Sequence, residues 1–473
     1  MREWSARQVA RAAGARLVQP APDDDRSIGI AQRARSIDRP LATTRKAQPP
    51  APAHERRAPG PLRAVIDSRA VETGDLFVGL PGVNVDGGRF AAQALADGAW
   101  GVLVAPGHAE AARCAAGGRD GAALLAADDP LAALQRLATA WRYELDARVI
   151  GITGSTGKTS TKDVLTGMLA PHRAVTATRA NYNTEIGLPL TVLEAPPATD
   201  VLILEMAMRG QGQIAELAAI ARPDVGVVVN VGPVHLEQLG SIEGVADEKA
   251  ALLGALLPGG TAVVPAGEAL LEARTAQGVT TVTFGPGGDV DQLPEGLELG
   301  FASAHMHLNA LAALAAARAV GVEPAGRIDV ALSALRGQRL ELPGGVVVID
   351  DCYNANPMSM RAALDDLAAT APGRRVAVLG DMLELGGDEA GFHRAIGEHA
   401  RERGVGVLVT VGPRAAAMGE GLGDGAVLHA TGDAAQAAAL VRELVEPGDT
   451  VLVKGSRGVG LEVVARTLAG EQS

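Results

Sequence analysis

RVIGITGSTGKTSTKDVLTGML, residues 148–169, is the stretch whose reading decides the fold. RVIGI (148–152) is an apolar run of strand length, and TKDVLTGML (161–169) carries Val164, Leu165, Met168 and Leu169 at helical spacing. Between them lies a glycine-rich turn. Gly154 and Gly157 let the backbone curl, so that the N–H groups around Ser155, Thr156 and Ser160 face inward at the start of a helix, a cradle for phosphate oxygens. Lys158 brings a point charge to the β/γ-phosphates, and the Thr159 hydroxyl suits Mg²⁺. The match to GxxxxGK[ST] is incomplete, because Ile152 stands where the first glycine would be.

Working outward, 473 residues exceed one core, and two to four domains are expected. Aromatic residues make up only 2%, and the net charge is −12, which disfavours base stacking and nucleic-acid binding alike. Two cysteines, Cys114 and Cys352, cannot build a disulfide framework or a four-cysteine zinc site. No apolar signal core or bilayer-length apolar run is found, so a cytoplasmic protein without membrane insertion is expected.

Three blocks follow, with an α/β class throughout. Residues 1–126 hold short strands and helices, including ARLV (15–18) and RAVID (63–67), separated by a basic, proline-rich stretch at about 21–63 that reads as a disordered insertion. Residues 127–334 open on a helical stretch, then the phosphate loop and the strands VLIL (201–204) and VGVVVNV (225–231). Residues 335–473 alternate GVVVI (345–349), RVAVLG (375–380), VGVLVTVG (405–412) and DTVLVKG (449–455) with Ala/Leu-rich helices, the pattern of βαβ units on a parallel sheet.

Such sheets bind ligands at the carboxyl ends of their strands, so the polar residues there matter most. Glu205 follows VLIL and suits a Mg²⁺ ligand as well as a solvated acid. His235 follows VGVVVNVGP and suits a second metal ligand. Lys249, on a helix 14 residues later, reads in isolation as a surface lysine. Arg339 precedes the strand that ends at Asp350–Asp351, a pair suited to a ribose hydroxyl or a metal. CYNANP (352–357) then makes a turn and a helix start, and Cys352 reads as a packing residue.

Taken together these runs resemble the Mur ligases, ATP-dependent amide-forming enzymes of peptidoglycan assembly, over nearly the whole chain apart from the insertion. The resemblance is carried by TGSTGKT (153–159), NYNTEIGLPLTVL (181–193), EMAMRGQGQI (205–214) and NVGPVHLEQLGSIEGVADEKA (230–250). DSRAVETGDLFVGLPGVNVDGGRF (67–90) resembles a UDP-binding first domain. DDCYNANPMSM (350–360), GDMLELG (380–386) and KGSRGVGLE (454–462) point to the branch that joins D-alanyl-D-alanine to UDP-N-acetylmuramoyl-tripeptide.

That resemblance implies a UDP-binding domain, a central ATPase-like parallel sheet and a Rossmann-like C-terminal domain in a monomer. It implies ATP and Mg²⁺, with Lys158, Thr159 and Glu205 at the phosphates and one metal, and His235 and Lys249 at a second. In several relatives that lysine is carbamylated. It also implies Asn309 at adenine, Arg339 at the γ-phosphate, Asp351 at ribose, and Ser68 and Arg69 at the uridine diphosphate. Asn181, Asn183, Thr184, Asn354 and Asn356 would serve the substrates. Two positions depart from the family pattern: Met306 replaces an Asn in the run HMHLNA, and Cys352 replaces a usual Ser. Rival readings are the sibling ligase that adds the third amino acid, which shares the ATP residues, and a nucleotide-dependent switch, which the absence of an NKxD motif opposes.

Overall fold

The computed structural model describes residues 1, 3–19, 60–115, 122–272, 274, 277–300, 304–424 and 426–470. Most of the stretch expected to be a basic loop, 21–63, lies outside the described residues. The chain forms two units, residues 1–143 with 192–196, and residues 144–191 with 197–473.

In the first unit, β1 (Arg16–Gln19), β2 (Ala64–Val65), β3 (Leu76–Val78), β4 (Gly101–Val104) and β5 (Ala123–Ala126) form one sheet in the order β1-β5-β4-β3-β2. The strands are parallel except β1, which runs antiparallel to β5. Leu76, Phe77, Leu103 and Leu125 are fully buried, as expected of short apolar strands covered on both faces. The run RAVID yields only two strand residues, because the Asp67 carboxylate accepts the Arg69 N–H and turns the chain into a 3₁₀ turn, Ser68–Ala70. Trp141 packs edge-on against Trp4, with centroids 5.4 Å apart, and its Nε1 donates to Ala195 O at 3.1 Å. That bond helps to hold residues 192–196 in this unit.

The second unit carries two six-stranded sheets. The first joins β6 (Arg148–Thr153), β7 (Val175–Ala177), β8 (Val201–Glu205), β9 (Val225–Val228), β10 (Thr261–Pro265) and β11 (Thr280–Phe284), all parallel, in the order β11-β10-β9-β6-β8-β7. The chain adds strands on one side of β6 and then crosses to the other, so the loop after β6 opens at a topological switch point. Behind it lies α1 (Lys158–Leu169), whose Val164, Leu165, Met168 and Leu169 are fully buried. α1 packs against the later helix Ala304–Ala319, in which every residue from Ala310 to Ala317 is buried. A helix buried all round must be apolar all round, and alanines let its neighbours come close. Each large aliphatic side chain sealed here contributes about 1.5–3 kcal/mol. A small parallel pair, β12 (Leu297–Leu299) and β13 (Gly326–Ile328), follows.

The second six-stranded sheet holds β14 (Gln338–Leu342), β15 (Val346–Asp350), β16 (Arg375–Gly380), β17 (Val407–Val411), β18 (Val427–Thr431) and β19 (Thr450–Lys454), in the order β14-β15-β19-β16-β17-β18. Only β14 is antiparallel. β19 returns to lie between β15 and β16, which places the loops after all three at one sheet end. This α/β architecture with parallel sheets is the expected class. No helix among the described residues is long and apolar enough to cross a membrane.

Candidate active site

The loop after β6 is built by backbone need. Gly157 has φ 75°, in the left-handed region, and a Cβ there would collide with Asn309 Oδ1. Asn230, just beyond β9, accepts the Thr156 N–H at 2.9 Å and donates to Thr156 Oγ1 at 2.9 Å. Ser155 Oγ accepts from Gly232 N at 2.9 Å and donates to Gly232 O at 3.0 Å. The loop is therefore shaped by its neighbour strand's end as well as by its own glycines. Lys158 Nζ donates to Gly154 O at 2.7 Å, curling across the loop. Burial lowers its pKa, Glu205 opposes that, and Arg336 adds to it.

Glu205, 1% exposed, ends β8, where its Oε2 accepts the Thr159 hydroxyl proton at 2.9 Å. Its Oε1 accepts from Asn183 Nδ2, also at 2.9 Å. With its proton committed to Glu205, the Thr159 oxygen keeps lone pairs for a cation.

His235 adopts φ 52° and caps the short helix α2 (Leu236–Leu239). Its Nδ1 is buried and lies 2.5 Å from Glu384 Oε2, out of line for a hydrogen bond. Burial lowers the His235 pKa, Glu384 works against that, and Lys158 and Lys249 add to the lowering, so the imidazole is held towards its neutral, metal-binding form.

Lys249, on α3 (Ile242–Gly254), is 1% exposed and not the surface lysine its isolated reading suggested. Its Nζ lies 3.9 Å from Met208 Sδ, and among the described residues no carboxylate pairs with it. The adjacent Glu248 is committed elsewhere, accepting the Gly212 and Ile214 N–H groups at 2.7 Å each. Burial first, and Lys158 second, push the Lys249 pKa well below 10.5. A buried amine held neutral is nucleophilic.

The second sheet supplies the opposite wall. Lys454 Nζ donates to Asp351 Oδ2 at 2.6 Å and to Asn354 O at 3.0 Å. Asn356 caps α4 (Pro357–Thr370), accepting the Ser359 N–H at 3.0 Å, with Pro357 at the first helical position. Arg339 on β14 is exposed and donates to Asp366 Oδ2 at 2.8 Å and Thr370 Oγ1 at 2.6 Å. Cys352 is buried, with Sγ donating to Asp350 Oδ1 at 2.8 Å. Burial and that carboxylate push its thiol pKa upward, so it packs rather than attacks.

Gly154 through Ser160, Asn181, Asn183, Thr184, Glu205, His235, Lys249, Asn309, Arg339, Asp351, Asn354 and Asn356 all line one cleft of ≈ 1290 Å³ in the second unit. Ser68 and Arg69 belong to the first unit. There Arg69 pairs with Asp67 at 2.7 Å, and that hydrogen bond draws the Asp67 carboxyl down to about 2. Sequence reasoning missed Asp366 and Thr370, and quoted Asn230, Glu384 and Lys454 only within the runs 230–250, 380–386 and 454–462, with no role of their own. Asn230 carried the same signal as its neighbours, a polar residue after an apolar strand. Asp366 and Thr370 are ordinary helix residues whose partner, Arg339, is distant in sequence.

The cleft fits a nucleotide and Mg²⁺. Lys158 curls over the glycine loop as a cation for phosphate, and Thr159 and Glu205 are hard oxygen donors. Among the described residues no three His, Cys, Asp or Glu side chains converge as a cage. Mg²⁺ needs none, being held by one or two carboxylates together with substrate phosphates.

Three family models match the chain: "Mur ligase family, catalytic domain" over residues 64–142, "Mur ligase middle domain" over 152–317, and "Mur ligase, glutamate ligase domain" over 335–457. A UDP-N-acetylmuramoyl-tripeptide–D-alanyl-D-alanine ligase from Synechocystis sp. is 38% identical, covering 86% of this chain and 91% of that protein. A crystal structure of MurF from Acinetobacter baumannii superposes with a TM-score of 0.77 at 28% identity, covering 99% of each chain. MurF ligase from Thermotoga maritima in complex with ADP gives 0.73 at 29% identity, covering 86% of this chain and 97% of that one. The middle-domain and glutamate-ligase-domain matches both carry residues that line the cleft described above, and the chain belongs to the Mur ligase family.

Proposed function

We propose that the protein is the ATP-dependent ligase that joins D-alanyl-D-alanine to UDP-N-acetylmuramoyl-tripeptide, releasing ADP and phosphate. The observation that carries this reading is the cleft itself, which gathers the phosphate loop, Glu205, His235, Lys249 and the strand ends of the second sheet. In this reading residues 1–126 take the UDP end of the substrate, 127–334 hold ATP, and 335–473 bring the dipeptide. The protein acts as a cytoplasmic monomer on small molecules.

A carboxylate resists attack by an amine because its oxygen is a poor leaving group. ATP removes that obstacle by phosphorylating the tripeptide's terminal carboxylate to an acyl phosphate with release of ADP, and the dipeptide amine then attacks the carbonyl carbon and expels phosphate through a tetrahedral intermediate. Mg²⁺, when bound, neutralises the phosphate charge that would otherwise repel the carboxylate. The chain's own groups complete that work. Lys158 leaves Gly154 O for the β/γ-phosphates, and Arg339 leaves Asp366 for the γ-phosphate. Thr159 and Glu205 hold one cation. His235 and Lys249 would hold the second, the neutral Lys249 amine first adding CO₂ and losing a proton to become a carboxylate-like carbamate. Asn309 meets the adenine and Asp351 the ribose, with Lys454 steadying Asp351. These are positioning and charge roles rather than covalent ones.

The test is ADP release by the purified protein with ATP, Mg²⁺ and UDP-N-acetylmuramoyl-tripeptide, with and without D-alanyl-D-alanine. Release that depends on the dipeptide, together with a UDP-pentapeptide product by mass, is the expected result. Activity only with UDP-dipeptide and a diamino acid would move the chain to the sibling reaction.

A further inference from the structure

Glu384 has no part in the reaction as described, yet it reaches the cleft from the second sheet. It stands in the loop after β16, whose backbone is tied down just ahead of it. Asp381 N donates to Val411 O at 3.1 Å, Met382 N to His393 Nε2 at 2.9 Å, and Leu383 N to Ser456 Oγ at 3.1 Å. Met382 and Leu385 are buried on either side, and the chain between them turns outward with Glu384 at φ 64°. Gly386 of the same loop passes beside Leu236 and Glu237 of α2, the helix that His235 caps. Two non-glycine residues in the left-handed region, on loops of different sheets, thus meet at one contact, His235 Nδ1 to Glu384 Oε2, 2.5 Å.

An imidazole that ligates a metal through one nitrogen is commonly oriented by an acceptor on the other. Here Nδ1 is sealed from solvent 2.5 Å from a carboxylate oxygen, where a ring lone pair facing that oxygen would be repelled, so the proton belongs on Nδ1 and the lone pair on Nε2. We propose that Glu384 is a positioning residue that fixes the ring and tautomer of His235 for a divalent cation. Retention of that cation then depends on the second sheet's loop being in place. The inference rests on the reading of His235 as a metal ligand. A plain latch between the sheets, by contrast, would leave metal affinity unchanged.

Mn²⁺ is the probe, titrated into the full-length protein with a non-hydrolysable ATP analogue while free Mn²⁺ is followed by electron paramagnetic resonance. The variants are Glu384→Gln, Glu384→Asp, His235→Ala and the double variant His235→Ala/Glu384→Gln, each first checked for an unchanged thermal midpoint. Glu384→Gln is expected to weaken one class of Mn²⁺ site by about 10–100-fold. Glu384→Asp should restore part of that loss, and Glu384→Gln should add nothing in the His235→Ala background. Wild-type Mn²⁺ affinity in Glu384→Gln, or additive losses in the double variant, would overturn the proposal while leaving His235 as a ligand. Unchanged Mn²⁺ binding in His235→Ala would instead remove the metal reading of His235, and this inference with it.

Discussion

Lys249 is buried beside a thioether, and among the described residues no carboxylate pairs with it, so the folded protein bears a desolvation cost there. The native state holds the amine's pKa well below the 10.5 it has in the unfolded chain, so wild-type stability rises with pH between the two values. Lys249→Met, in CO₂-free buffer, should therefore raise the thermal midpoint by about 1–1.5 °C for each kcal/mol recovered. The gain should be largest at neutral pH and shrink as pH approaches 10.5, while ADP release is lost. A variant less stable than wild type at pH 7 by calorimetry would refute this account. Lys158→Ala and Glu205→Ala remove charges aimed at the phosphates, and each should lower turnover by about 10²–10³-fold. Near-wild-type ADP release from either would overturn the assignment.

Elements owe their ends to single residues. The stretch NANP announced a helix start, and the structure shows Asn356 capping α4 with its side chain. The same residue lines the cleft, so capping and substrate contact are confounded there. Asn356→Ala should cost about 1 kcal/mol of stability through the lost cap, and Asn356→Asp should keep it, because a carboxylate also accepts the Ser359 N–H. If Asn356 also binds substrate, Asn356→Asp will raise KM with its thermal midpoint intact. Gly157→Ala places a Cβ at a left-handed residue against Asn309, and should cost more than about 1 kcal/mol. Denaturant titration checks both. Strand positions were legible where the runs are long and apolar: β8, β9, β15, β16, β17 and β19 fall on VLIL, VGVVVNV, GVVVI, RVAVLG, VGVLVTVG and DTVLVKG. β7, β10, β11, β14 and β18 were not picked out. β14 and β18 have exposed residues, and edge strands carry less of the apolar pattern that marks a strand.

At the scale of the second unit, the link between its two six-stranded sheets has one anchored end and one bent end. Ser333 N and Oγ donate to the Asp163 carboxylate of α1 at 2.7 and 3.1 Å. Just beyond, Leu335 and Gly337 both have positive φ, 61° and 73°. A short bent segment beside a fixed point is where rotation of the second sheet would concentrate. The scattering radius of gyration is expected to fall when an ATP analogue and UDP-substrate are added together. Identical profiles with and without them would mean that the cleft is assembled in advance.

The sequence by itself determined the phosphate loop, because a strand, two spaced glycines, Lys158 and Thr159 are contiguous and act through the local backbone. It determined the parallel α/β class as well, since alternation of apolar runs and helices is a one-dimensional signal. What it could not contain is distance between residues far apart in the chain. Only tertiary structure decided that Lys249 is buried rather than solvated, that Arg339 rests on Asp366, and that Glu384 meets His235. Those contacts depend on strand order, with β6 at one switch point and β19 returning between β15 and β16. Burial and pairing, which set the charge states of these groups, exist only once that order is made.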